Sequence, residues 1–189
     1  MMTNQEITKT RIRQVFPTSE IPHLWAHQTQ ESARNQQGNL YFDGATIYSY
    51  GSHFPIAKHA VNKQGRRAVL FTKEKSSVTT TGHKYSVMRA IPGDVLVLNL
   101  PIVERTDRNL EAFERSIKSA KTDIFGPTGR FRKSKWDELS AIMEQANNFA
   151  EWYGSRKRFK MPESTDAIKA SIAADERRVK RTEAKNRKA

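Results

Sequence analysis

The chain has no cysteine, which excludes disulfides, thiolate zinc sites and cysteine nucleophiles. No stretch approaches the roughly 18 apolar residues that a membrane span requires, so no membrane partner is expected. The first sixteen residues carry Glu6, Lys9, Arg11 and Arg13 without an apolar run and do not read as a secretory signal. No internal repeat is visible, and no glycine, proline or serine tract marks a linker. Phosphate-loop, dinucleotide-fingerprint, nucleophile-elbow and HExxH patterns are all missing. ATP-dependent and zinc-peptidase chemistry therefore has no seat, and neither a metal nor a cofactor is expected. The default location is the cytoplasm of a bacterium or an infected host cell, with virion association as its variant.

Acidic residues are also scarce: 20 Asp plus Glu face 33 Lys plus Arg, a formal charge of +13. Such a field draws in phosphates or an acidic protein surface but says nothing of the fold. Its distribution is more informative than its total. Residues 1–100 hold 12 basic and 6 acidic residues, 101–153 hold 9 of each, and 154–189 hold 12 and 5. Over half of the excess falls in the last 36 residues.

In a chain of 189 residues there is room for one sizeable core with a helical extension. Residues 38–103 read as β-rich. Asn39-Leu40-Tyr41-Phe42 and Thr46-Ile47-Tyr48-Ser49-Tyr50 flank Asp43-Gly44, a strong hairpin signal. A second hairpin is expected around residues 62–66, between runs 54–61 and 67–72. Residues 82–91 suit a short helix ended by Pro92, with Tyr85, Met88 and Ile91 as its apolar face. The run 95–100 reads as the most buried strand.

From Glu104 the period changes to about 3.6. Thr106 can cap a helix carrying Leu110, Phe113, Ile117 and Ala120 on one stripe. Ser134 and Asp137 suit a capping box before Trp136, Leu139, Met143, Ala146 and Phe149, and Gly154 suits the C-terminal cap. Pro162 and Ser164 open a third helical stretch with Ile168 and Ile172 on one side. The expected architecture is α+β: a small, mostly antiparallel sheet with one short helix, then two or three C-terminal helices. Its organisation is a β-rich domain with an N-terminal arm at 1–103, a helical region at 104–174, and a basic tail at 175–189 as frayed helix or disordered chain.

Three basic segments are candidate contacts for DNA, RNA or an acidic protein surface. The first is Arg130, Phe131, Arg132, Lys133 and Lys135, next to Trp136, where bases could stack while cations hold phosphate; the plainer alternative makes the aromatics core anchors. The second is Arg156, Lys157, Arg158 and Lys160 at the far end of the same helix. The third is Arg177, Arg178, Lys180 and Arg181, continuing to Lys185, Arg187 and Lys188, with a solubilising tail as its plain alternative.

All five histidines lie in the first half. His23 and His27 have helical i, i+4 spacing but no third ligand. His53, His59 and His83 could meet Tyr48 or Tyr50 in a metal-free nuclease site, or simply bond within turns and strand ends. Their spacing matches no catalytic motif, so an enzyme is not the leading expectation.

The string Ile47-Tyr48-Ser49-Tyr50-Gly51-Ser52-His53-Phe54-Pro55-Ile56-Ala57, with Trp25-Ala26-His27-Gln28, Gly38-Asn39-Leu40-Tyr41-Phe42 and Val78-Thr79-Thr80-Thr81-Gly82-His83, resembles an uncharacterised small domain of bacteriophage and mobile-element proteins over residues 25–91. The resemblance implies a setting, not an activity. In physical terms Gly51 and Pro55 would fix a turn, and strand alternation would send Tyr48 and Tyr50 to one face, as a binding surface or a well-specified corner. The leading expectation is a phage or mobile-element accessory protein that binds nucleic acid through its backbone. Its rival is a protein-docking effector, an anti-defence inhibitor or capsid-associated component.

Overall fold

The computed structural model describes residues 13–187. Most of the expected N-terminal arm, and Lys188 and Ala189 of the tail, lie outside the described residues. Backbone contacts divide the chain into two compact units. One runs to Val61 and includes Arg67–Val97; the other comprises Asn62–Arg66 and the chain from Leu98 onward.

Seven strands follow one another in sequence order: β1 (Val15–Phe16), β2 (Ser32–Asn35), β3 (Leu40–Asp43), β4 (Thr46–Ser49), β5 (Pro55–Val61), β6 (Arg67–Thr72) and β7 (Val97–Leu100). Helix and sheet are mixed as expected, but the sheet is larger and not purely antiparallel, because β1 runs parallel to β2. The helix α1 (Ile21–Ala26) makes that crossover. Ser-Ala-Arg-Asn in β2 offers one apolar side chain, Ala33. Its strand character comes from pairing with β3 rather than from intrinsic preference.

The β3–β4 hairpin forms where Asp43-Gly44 places it, with Asp43 opposite Thr46. Gly44 supplies the positive φ of +51° that a two-residue hairpin turn needs. Strands β5 and β6 form the second hairpin, with Val61 opposite Arg67. The expected burial of β7 as the most enclosed strand is corrected: Leu98 and Leu100 are buried, but Leu96 just before it is exposed. Strand β6 instead buries five successive residues, and so is enclosed on both faces.

The single short helix expected in the β-rich part becomes two. Pro22 sits in the first turn of α1, where no backbone N–H is needed. Helix α2 (Val78–Ala90) starts four residues earlier than expected because the Ser77 hydroxyl accepts from the Thr80 amide at 3.3 Å. Its buried face is Thr80, His83 and Val87, whereas Tyr85 and Met88 are exposed. An apolar count picks the wrong side here, since Ser49 supplies hydrogen-bond partners for the buried polar groups. Replacing Ser77 with alanine will lower stability by about 1 kcal/mol, read as a reduced urea midpoint with an unchanged slope.

The first core gathers Ile21, Trp25, Leu40, Phe42, Ile47 and Val69. In the second unit α3 (Asn109–Thr122) packs on α4 (Lys133–Tyr153) through Phe113, Ile117, Leu139, Met143 and Phe149. Thr106 opens a single 3-10 turn, not the helix itself. Buried Asn109 holds the chain before α3: its Oδ1 accepts from Ile102 N and its Nδ2 donates to Ile102 O. The hairpin tip belongs to this unit, where Asn62 Nδ2 donates to Trp152 O and Trp152 Nε1 donates to Arg66 O. Helix α5 (Asp166–Asn186) extends through the region read as a frayed or disordered tail. The Ile168 amide in its first turn donates to Thr165 Oγ1, one residue past the expected Ser164.

Candidate nucleic-acid interface

Residues 124–132 form a small turn-back ahead of α4. Gly126 N donates to Arg130 O and Arg132 N donates to Ile124 O, both at 2.8 Å. Gly129, at φ +73°, takes the left-handed conformation that such a reversal requires. The reversal sets Phe125 opposite Phe131, their rings 6.0 Å apart and nearly edge-on, and Phe131 lies 5.9 Å from Trp136. Phe125 is 46 % exposed, and Phe131 and Trp136 are half-buried. These aromatics are therefore a surface row, not core anchors. Sequence reasoning missed Phe125; the signal was a Gly-Pro-Thr-Gly turn flanked by two phenylalanines.

The expected capping box does not form. Helix α4 begins at Lys133, so Ser134 lies inside its first turn, and Asp137 pairs with Lys133 at 2.7 Å. Lys135 pairs likewise with Glu138. Arg132 Nη2 donates to Phe125 O at 3.3 Å, while its Nε is shielded from solvent and finds no acceptor among the described residues. Arg130 is exposed.

At the other end, Gly154 closes α4 at φ +78°, the left-handed C-terminal residue that the sequence called for. The strap beyond it is pinned by Asn147, whose amide exchanges two hydrogen bonds with the Phe159 backbone. Lys157 pairs with Glu114 of α3, and Arg158 turns back onto the Ser155 and Lys157 carbonyls. Arg156 and Lys160 are exposed. Together with Arg130 they make no ion pair among the described residues. Helix α4 has 21 residues, so about 30 Å separates the two basic clusters.

Helix α5 is held at its beginning, where Ile168 is buried. From Ala173 to Arg187 every residue whose exposure is described is exposed. Arg177 and Arg181 stand one turn apart, with Arg178 and Lys180 beside them, so the cations spread along one broad side of the helix.

The β-rich candidates come together only in part: Tyr50 meets His83, whereas His59 turns to Trp25. Tyr48 stacks on Tyr41 across β3 and β4, ring centroids 5.1 Å apart. Tyr50, at φ +60°, has left the strand and faces the His83 ring at 6.0 Å. The expectation that both tyrosines share a face is corrected, because a positive φ ends the alternation. Gly51 does fix the corner: at φ +139° it admits no side chain, and a Cβ there would lie 2.9 Å from His53 Nδ1. His83 Nδ1 lies 2.8 Å from Ser49 Oγ, but Ser49 is buried beyond a substrate's reach. His59 Nε2 bonds to Trp25 O. His53, His59 and His83 thus answer to different partners. The His23 and His27 rings lie 4.2 Å apart, tilted by 46°, and among the described residues no three His, Asp or Glu side chains gather as metal ligands.

Burial pushes His83 and His59 below the ordinary histidine pKa, with the Trp25 carbonyl opposing the effect at His59. The unfolded chain titrates near the ordinary value of about 6.5. As the pH falls through that value, the unfolded state takes up protons that the folded state refuses, so stability drops toward acid. Urea midpoints at pH 7.5 and 5.5 check the sign: the lower-pH midpoint will be smaller.

No family model, curated protein or solved structure matches the chain. Among the described residues no helix is long and apolar enough to cross a membrane.

Proposed function

We propose that this is an accessory protein of a bacteriophage or mobile element that binds DNA or RNA mainly through the sugar–phosphate backbone, using its helical unit as the contact surface. The observation that carries the reading is the row Phe125, Phe131 and Trp136, set beside exposed Arg130. A base stacked on such a row contributes about 1–3 kcal/mol, and a phosphate oxygen accepts a charge-assisted bond from the exposed Arg130 guanidinium. The pairing of Lys133, Lys135 and Lys157 with exposed carboxylates is no obstacle. Such pairs contribute about 0–1 kcal/mol, so a phosphate competes with them. The mobile-element setting rests on the resemblance over residues 25–91 alone.

Fluorescence anisotropy with labelled single-stranded DNA, single-stranded RNA and duplex DNA tests the reading. Binding at low salt that weakens steeply as salt is raised is expected; no binding of any of the three at low salt removes it. One observation favours protein docking as the second reading: exposed Phe125 meets Phe131, and the helix that begins two residues later carries Lys133 and Lys135 already facing carboxylates, a mixed-sign stretch suited to another protein. A partner recovered after nuclease treatment, together with blank nucleic-acid assays, decides for that reading.

A further inference from the structure

We infer that the first unit holds a separate site for a nucleoside monophosphate, in a pocket between the end of α1 and the turn-proximal end of strands β5 and β6. The inference does not rest on the proposed function, whose residues lie in the other unit.

The pocket measures about 550 Å³, within the roughly 300–1,000 Å³ typical of small-molecule sites. Its space comes from small side chains: Ala26, Ala45, Ala60 and Ala68 all line it. No carboxylate is among its lining residues, while Arg67 and His27 are. Arg67 is exposed and makes no ion pair among the described residues. The pocket therefore favours an anion.

His59 gives it direction. The ring lies against Trp25 at 4.4 Å, and Trp25 is itself anchored by its Nε1 donating to Ala45 O at 3.0 Å. His59 Nε2 is 3.1 Å from Trp25 O. A carbonyl oxygen only accepts, so Nε2 carries the proton; with the imidazole neutral, Nδ1 is left as a lone-pair acceptor. Burial favours that neutral form. No hydrogen bond to Nδ1 is found among the described residues. At the pocket wall, Gln28 holds φ +49°, a conformation costly for a residue other than glycine. Its amide donates to Trp25 O, so the same carbonyl fixes both the wall and the imidazole.

A fitting ligand offers a hydrogen-bond donor to Nδ1, a flat body for the alanine-lined space and a negative group for Arg67. A nucleoside monophosphate with an exocyclic amine meets all three demands, whether free or at the 5′ end of a strand. Adenine and cytosine present that amine, whereas uracil places a carbonyl acceptor in its stead.

Calorimetric titration of the full chain with AMP, CMP, UMP and inorganic phosphate tests the site. AMP and CMP are expected to bind, and UMP and phosphate to bind at least about tenfold more weakly, the factor that one hydrogen bond of about 1.4 kcal/mol supplies. Arg67→Ala should weaken AMP binding about tenfold or more. Ala60→Leu, which fills the pocket, should weaken it independently, and circular dichroism confirms that both variants are folded. Comparing a 5′-phosphorylated with a 5′-hydroxyl oligonucleotide separates a strand end from a free nucleotide, and preference for either phosphorylated form supports the site. Substitution of the α5 arginines should leave AMP binding unchanged, so this inference and the proposed function fail separately. Inorganic phosphate binding as tightly as AMP, AMP binding unaltered by both pocket variants, or no nucleotide binding at millimolar concentration would overturn it.

Discussion

Replacing Arg177, Arg178, Lys180 and Arg181 together with alanine will flatten the salt dependence of nucleic-acid binding by about 3–4 units of log K per log salt. Each phosphate neutralised on a duplex contributes a slope of about 0.9, and these four cations sit on the part of α5 where the described residues are all exposed. Extrapolated from 1 M salt, the loss amounts to about 10³–10⁴-fold in affinity at 0.1 M. Alanine is the best helix former, so the substitutions leave α5 intact, and the effect is one of charge. The converse change, Glu176→Gln with Glu183→Gln, removes two carboxylates from the same stretch and should tighten binding. Salt titrations by fluorescence anisotropy read both. A quadruple variant with the wild-type slope would mean that α5 does not touch phosphate.

The second large effect concerns the platform that carries these groups. Phe149 is wholly buried and lies 6.1 Å from Phe113, 6.3 Å from Trp152 and 5.3 Å from Tyr153, ring centre to ring centre. It joins α3 to α4 and so fixes both basic clusters that bracket α4. Phe149→Ala removes the ring and leaves a cavity that neighbouring helices only partly fill, at a cost of about 3–5 kcal/mol. Urea unfolding followed by helical circular dichroism will show it. A cost under about 1 kcal/mol would mean that α3 and α4 are held together by something other than this aromatic cluster.

What could be read from the sequence follows from how locally each feature is encoded. The β3–β4 hairpin is written in Asp43-Gly44, and the end of α4 in Gly154, because a positive φ at one residue settles each. The stripe of Leu139, Met143, Ala146 and Phe149 repeats at the helical period and is buried as that period implies. Strand β1 is two residues long, too short for any alternation to register, and β2 holds one apolar residue; both exist through their partners. Helix α2 hid behind Val78-Thr79-Thr80-Thr81, a β-branched and hydroxyl-rich run that would suit a strand but for the Ser77 cap.

The interface was legible as composition and not as geometry. Charge counting pointed to Arg130, Lys133, Lys135 and Lys157 alike. It could not show that Lys157 faces a carboxylate, since Glu114 is 43 residues away in sequence, whereas the partners of Lys133 and Lys135 lie within one helical turn of them. Nor could it reveal Phe125, which joins the aromatic row only when residues 124–132 fold back. The histidines show a different limit: composition could not say that His83 bonds Ser49 and faces Tyr50 while His59 turns to Trp25.

Photo-cross-linking of the full chain to a 4-thiouridine oligonucleotide, at a salt concentration where binding is saturated, addresses the central claim most directly. Peptide mapping should place the adducts at Phe125, Phe131 and Trp136 and on the exposed stretch of α5. Adducts confined to residues 32–72, or none at all at saturation, would contradict the assignment of nucleic-acid binding to the helical unit.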